Sequence, residues 1–322
     1  MAKAEAIRQK RLKDLGAREY GINAAVDLYQ SLDTGDHPDI RIRSGFIRLE
    51  KPRAAREAGT PLARREADAA TRPPNTRLIN RPGNAQQAYL TGIYVAHQEF
   101  ESGDLVENRH HNVVRDGWAD LCGLRTRGVD TRELNLRVTR ALKTLDRLGL
   151  VTVADAGSPR RYHGFRLNSD DGFRRPYSVP GASTTNTVVL PAGFFRAGWH
   201  LVLTPEEMAT LLVIMEHTRR LRRGRRKSEP EDGIAIPDKL KWSYYGLAHE
   251  AYGSVHELCE FGLIEIYDPD DRTRGRIPDS RREDKRALRL TYPASPGPDY
   301  GLNALDVVRK HLTDNPIPPR LQ

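Results

Sequence analysis

The chain has 322 residues, a formal net charge of +9, 30% charged residues and only 38% hydrophobic ones. That content supports two small buried cores plus extensions rather than one large core, and the excess of cations points to a polyanionic partner. Two cysteines, Cys122 and Cys259, are too few for a disulfide framework or a zinc cluster. A charged N-terminal stretch and the lack of a long apolar run imply no signal peptide, no membrane and a cytoplasmic setting.

Residues 2–32 are helix-prone, with Ile22, Val26, Tyr29 and Leu32 forming one narrow apolar stripe. The early cations Lys3, Arg8, Lys10, Arg11 and Lys13 suit a solvated, frayed helix or, as the sharper alternative, a basic arm for DNA. Residues 40–43 and 46–49 alternate as a strand or hairpin does. Residues 51–82, rich in Arg, Ala, Pro and Thr, read as a partly disordered basic linker.

Tyr89, Leu90, Ile93, Tyr94 and Ala96 then take helical spacing up to Phe100. His97, His110 and His111 have no neighbouring cysteine or carboxylate spacing to complete a metal site, so no metal and no cofactor is expected. A short helix around Trp118 and Leu121 leads by an extended turn to Thr131. From there Leu134, Val138, Ala141, Leu142, Leu145 and Leu148 form the stripe of a longer helix, with Thr131 and Asp130 competing to cap it. At Gly149 the period changes. Residues 150–153 and 162–167 are strand-like and enclose a turn-rich segment carrying Arg160 and Arg161.

If the stripe faces inward, a rotation of about 100° per residue turns Arg132, Leu136, Thr139, Arg140 and Lys143 outward, with Asn135 at the flank. Arg132 and Arg140 suit guanine edges and Asn135 suits adenine. Lys143 and Arg147 suit phosphates. Ordinary solvated charges are the plainer alternative, but acids are nearly absent from this face.

Residues 169–187 read as a linker. Thr204, Pro205 and Glu207 then have the order of a capping box that starts a helix running to Arg219. The basic run 219–227 suits the helix dipole and, through Arg222, Arg223, Arg225 and Arg226, phosphate contact. The pattern around Gly149 returns at Gly262, where Val255, Leu258, Phe261, Leu263 and Ile264 stand for Leu142, Leu145, Leu148, Leu150 and Val151. Upstream, Trp118 and Gly123 are echoed by Trp242 and Gly246. This second copy carries Glu250, Glu257 and Glu260 where the first is basic. Pro269, Asp270, Glu283 and Lys285 match the spacing of metal-dependent nucleases, but they sit in a hydrophilic stretch with nothing apolar to hold the carboxylates. No enzyme is expected.

A helix stopped by glycine and followed at once by a basic-tipped hairpin resembles the second half of a winged-helix DNA-binding domain. Its recurrence implies a mainly α protein with small β-hairpins (α+β), built from two winged-helix domains in tandem at 76–170 and 187–298. Residues 1–75, 171–186 and 299–322 would be the basic N-terminal region, a linker and a C-terminal extension. The stretch from 188 to the helix start at 204–207 resembles the opening of winged-helix domains in phage and plasmid replication proteins. The resemblance implies a nucleoid-associated homodimer that binds double-stranded DNA sequence-specifically, for transcriptional control or, alternatively, replication initiation. A third reading is a structural adaptor like the winged-helix subunits of chromosome-organising complexes, against which the basic charge argues.

Overall fold

The computed structural model describes residues 2–32, 39–53, 71–79, 81, 83–106, 116–224, 234–247, 254–267, 289–291 and 300–314. In chain order its helices are α1 (Ala2–Ser31), α2 (Ser44–Ile47), α3 (Pro74–Ile79), α4 (Ala85–Glu99), α5 (Trp118–Leu121) and α6 (Thr131–Arg147). They continue with α7 (Ala192–Arg196), α8 (Trp199–Val202), α9 (Pro205–Gly224), α10 (Asp238–Ser243), α11 (Val255–Glu260) and α12 (Ala304–Asp314). Three antiparallel pairs accompany them: β1 (Ile40–Arg43) with β4 (Thr187–Leu190), β2 (Val151–Thr152) with β3 (Arg166–Leu167), and β5 (Glu265–Tyr267) with β6 (Arg289–Thr291). Among the described residues the fold is therefore mainly helical with small antiparallel hairpins and one long-range strand pair.

Helix α1 is not a solvated appendage. Ile22, Ala25 and Tyr29 are fully buried, with Leu15 and Val26 close behind, as a stripe at helical spacing requires. Its arginines are engaged inside the molecule. Arg11 grips both oxygens of Glu207 at 2.6 and 2.8 Å, Arg18 donates to the Leu201 carbonyl at 3.0 Å, and Arg8 donates to that of Leu312. Of the cations that the sequence left open as a DNA arm, Arg8 and Arg11 are thereby engaged within the fold, whereas Lys10 and Lys13 are exposed. Glu207 also closes the expected capping box at the start of α9. The Thr204 N–H donates to its carboxylate (2.9 Å), and the Glu207 N–H donates to the Thr204 hydroxyl (3.2 Å).

Ile40 and Ile42 alternate with Arg41 and Arg43 and are both fully buried. Their strand pairs with β4, Ile40 opposite Leu190 and Arg43 opposite Thr187. Of residues 46–49, expected as a second strand, Phe46 and Ile47 belong instead to the helical turn α2 and are buried there. The distant strand β4 satisfies the edge that a local hairpin would have used. At the end of β1 the Arg43 guanidinium reaches Asp170, which is completely buried, at 3.1 Å, and donates to the Ser178 carbonyl at 2.8 Å. The Arg43 backbone N–H donates to the same carboxylate. One apolar cluster extends from Leu15 of α1 through both expected repeats to Leu312 of α12.

Two consequences are measurable. Arg43→Ala leaves a buried carboxylate without its cation, so urea unfolding should show a loss of about 3 kcal/mol or more. The double variant Arg43→Met, Asp170→Leu should recover much of that loss.

Burial holds three histidines well below their ordinary value of 6.5: His97 and His217 to about 4 and His200 to about 3. Each is neutral when folded and takes up a proton on unfolding below pH 6.5. Their contribution is complete above that pH and is lost as pH falls toward 4, or toward 3 for His200, by about 1.4 kcal/mol per pH unit for each group. His200→Gln should remove one proton's share of the slope between pH 6.5 and 4, read from urea midpoints.

Candidate nucleic-acid interface

Helix α6 begins where Asp130, not Thr131, accepts the Glu133 N–H at 2.7 Å. Asp130 has the extended backbone that an N-cap needs, and Thr131 is already helical. Leu134, Val138, Ala141, Leu142 and Leu145 are buried. Arg132, Leu136, Arg140, Lys143 and Arg147 are exposed, with Asn135 and Thr139 half-buried beside them. At helical rotation the five exposed residues fall within an arc of about 80°. Leu136, 41% exposed, lies at its centre with cations on both sides.

The charges on this helix divide sharply. Among the described residues, Arg132, Arg140, Lys143 and Arg147 make no ion pair. The acids of α6 are all engaged: Glu133 by Arg137 (3.1 Å), and Asp146 by Arg161 (3.3 Å) and Arg174 (2.9 Å). The outward field of the helix is therefore set by its free cations.

The helix ends in a Schellman turn. Gly149 has φ +77, its N–H reaches the Asp146 carbonyl at 3.0 Å, and the Leu150 N–H reaches the Leu145 carbonyl at 3.0 Å. The same turn recurs at Gly262, with φ +74 and bonds of 2.9 Å from Gly262 to Cys259 and from Leu263 to Leu258. Each turn runs directly into an antiparallel hairpin, β2–β3 or β5–β6. Upstream, Gly123 and Gly246 also take left-handed backbone, φ +62 and +61, after the short helices α5 and α10. The glycine turns and the antiparallel pairs that follow them thus recur in the backbone.

The first hairpin is shorter than its sequence suggested. Only Val151 and Thr152 pair with Leu167 and Arg166, so residues 153–165 form the connection, and Tyr162 and His163 lie in turns rather than in a strand. Arg160 sits in this connection with φ +65, exposed and without an ion pair among the described residues. Arg161, its expected companion at the tip, is folded back to Asp146 and over the Tyr162 ring at 5.4 Å. β3 is held on its far side too, because the Tyr177 N–H donates to Leu167 (3.1 Å) and the Val106 N–H to Tyr177 (3.2 Å). Buried Asn168 ties the base together, donating to the Gly149 carbonyl at 3.0 Å while its own backbone carbonyl accepts the Tyr89 hydroxyl at 3.0 Å.

In the second copy Val255, Leu258, Phe261 and Leu263 are buried, as the repeat requires. Glu250 lies outside the described residues. His311 of α12 contacts Glu260 (3.3 Å) and packs edge-on to Phe261, so the C-terminal helix covers the end of α11. Arg225 and Arg226 and the side chains of Arg222 and Arg223 lie outside the described residues. Arg219, at the head of that run, binds Glu216 (2.8 Å) and the Ser44 hydroxyl (2.9 Å).

His97 is a buried tie between α4 and β1. Its Nδ1 donates to the Ile93 carbonyl (2.9 Å) and its Nε2 accepts the Arg41 N–H (3.2 Å). His110, His111 and the nuclease-like carboxylates lie outside the described residues. Among the described residues no three His, Cys, Asp or Glu side chains are grouped to hold a metal, and no helix is long and apolar enough to cross a membrane. The roles of Asp146, Asn168 and Arg174 escaped sequence reading, since each acts through a partner far along the chain. No family model matches the sequence, and neither a curated protein nor a solved structure matches the chain.

The two Schellman glycines should differ on substitution. A Cβ at Gly262 meets open space, so Gly262→Ala should cost only the left-handed backbone penalty, about 1–2 kcal/mol. A Cβ at Gly149 would collide with the Gly172 carbonyl oxygen, so Gly149→Ala should cost at least twice as much in chemical denaturation.

Proposed function

We propose that the chain is a sequence-specific double-stranded DNA-binding protein that acts in transcriptional control and reads the major groove with α6. The observation that carries this reading is the row Arg132, Arg140, Lys143 and Arg147 on one exposed arc, which makes no ion pair among the described residues, with the helix's acids paired from its flanks. Helix α4, short helix α5, a turn, α6 and then the hairpin is the element order of a winged-helix unit. Helices α9, α10 and α11 and the second hairpin repeat that order. On this reading Arg132 and Arg140 fork onto guanine edges, Asn135 reaches adenine at the flank, and Lys143, Arg147 and Arg160 meet phosphates. The second unit, whose α11 carries Glu257 and Glu260 and is covered at its end by α12, serves self-association as a homodimer instead.

Gel-shift titrations of the full chain on a selected and a scrambled duplex test the assignment. Arg140→Ala should cost about 1–3 kcal/mol on the selected duplex and much less on the scrambled one. Arg160→Ala should weaken both alike and lower the salt slope by about one unit. Unchanged binding by both variants would remove α6 and its hairpin from the interface.

A further inference from the structure

Beside the hairpin a second projection leaves the same helix end. Residues 169–175, read from the sequence as linker, form a closed turn in which the Ser169 N–H donates to the Arg175 carbonyl (2.7 Å) and the Phe173 N–H to the Asp171 carboxylate (3.0 Å). Gly172 fits against the Leu148 carbonyl and Gly149 of the α6 terminus. Arg174 anchors the turn by donating to Asp146, the carboxylate that also holds Arg161 of the hairpin. Arg174 does so with φ +55, a left-handed backbone that a non-glycine residue keeps only when its surroundings impose it.

What this braced turn presents is Phe173, 75% exposed, the most exposed of the large hydrophobic residues described. The Arg175 guanidinium lies 5.9 Å from its ring, and Arg174 and Arg175 are themselves more than half exposed. The nearby acids are all occupied: Asp146 by Arg161 and Arg174, Asp171 by Arg175, and buried Asp170 by Arg43. An apolar ring held out to solvent on a rigid, cation-flanked support is arranged to leave water for another apolar surface beside negative charge. Stacked base edges between phosphates have that combination.

We propose that Phe173 is a DNA contact, a wedge that enters the base stack beside the segment facing α6, with Arg174 and Arg175 on the adjoining phosphates. The inference rests on the proposed DNA-binding function and adds a second contact element to it. In the full-length protein, Phe173→Ala should lower affinity for a selected duplex about five- to a hundredfold, the loss expected for one base–aromatic stack. Because the ring is exposed, the variant should keep the parent's urea midpoint.

Phe173→Trp provides a direct readout. Trp118 and Trp199 are buried and Trp242 is half-buried, so a tryptophan at 173 should add an exposed emission band that the duplex quenches. Parent-like affinity in Phe173→Ala, together with unquenched emission from the Phe173→Trp variant at saturating duplex, overturns the wedge and leaves the α6 interface standing. A parent chain that binds neither the selected nor the scrambled duplex overturns the DNA-binding function and the wedge with it. Weaker binding by Phe173→Ala within the expected range, with quenching in Phe173→Trp, supports both.

Discussion

The completely buried carboxylate of Asp170 has no water to solvate it, and its charge is matched by Arg43 from a strand far earlier in the chain. Burial pushes this carboxyl up and the guanidinium pulls it back. Removing two charges from water is costly, so such a pair contributes through geometry more than through net stability. Here it fixes three things together. β1 is held at the base of the first hairpin, β4 is brought alongside β1, and residues 169–175 are set against the end of α6. Asn168, two residues before Asp170, satisfies the Gly149 carbonyl at that helix end in the same buried layer.

From that layer two projections diverge, and both are tied to Asp146. One acidic side chain on α6 thus performs two tasks. It braces the hairpin through Arg161 and the 169–175 turn through Arg174, and the two guanidiniums offset the negative charge it would otherwise add to the exposed face. The free cations of α6 then act without local opposition. An ion pair this exposed is worth little as stabilisation. Its value lies in position and in the field it leaves behind.

The two repeats use the same backbone device for different ends. A glycine in left-handed backbone closes each helix, and an antiparallel hairpin follows at once. In the first copy the outward face stays open. In the second, α12 reaches across to Glu260 and Phe261, and α1 adds Arg11 over the Phe261 ring at 5.5 Å. Burial of the internal stripe constrains both copies alike, whereas the outward residues are free to diverge once one face is covered.

Sequence alone determined what depends on neighbours a few positions apart. The stripe Leu134, Val138, Ala141, Leu142 and Leu145 needs only the helical period, the capping box of Thr204 and Glu207 needs only their spacing, and the stops at Gly149 and Gly262 need only a residue tolerant of left-handed backbone. Tertiary structure decided everything that depended on which distant edges and charges meet. Nothing in residues 40–43 names β4 as partner, nothing in Arg11 names Glu207, and Arg160 and Arg161 look alike until Asp146 takes one of them. Phe173 in its polar surroundings reads as linker for the same reason. Its turn is held by Asp146 and Gly149, residues of another element, and such pairings follow from packing rather than from local period.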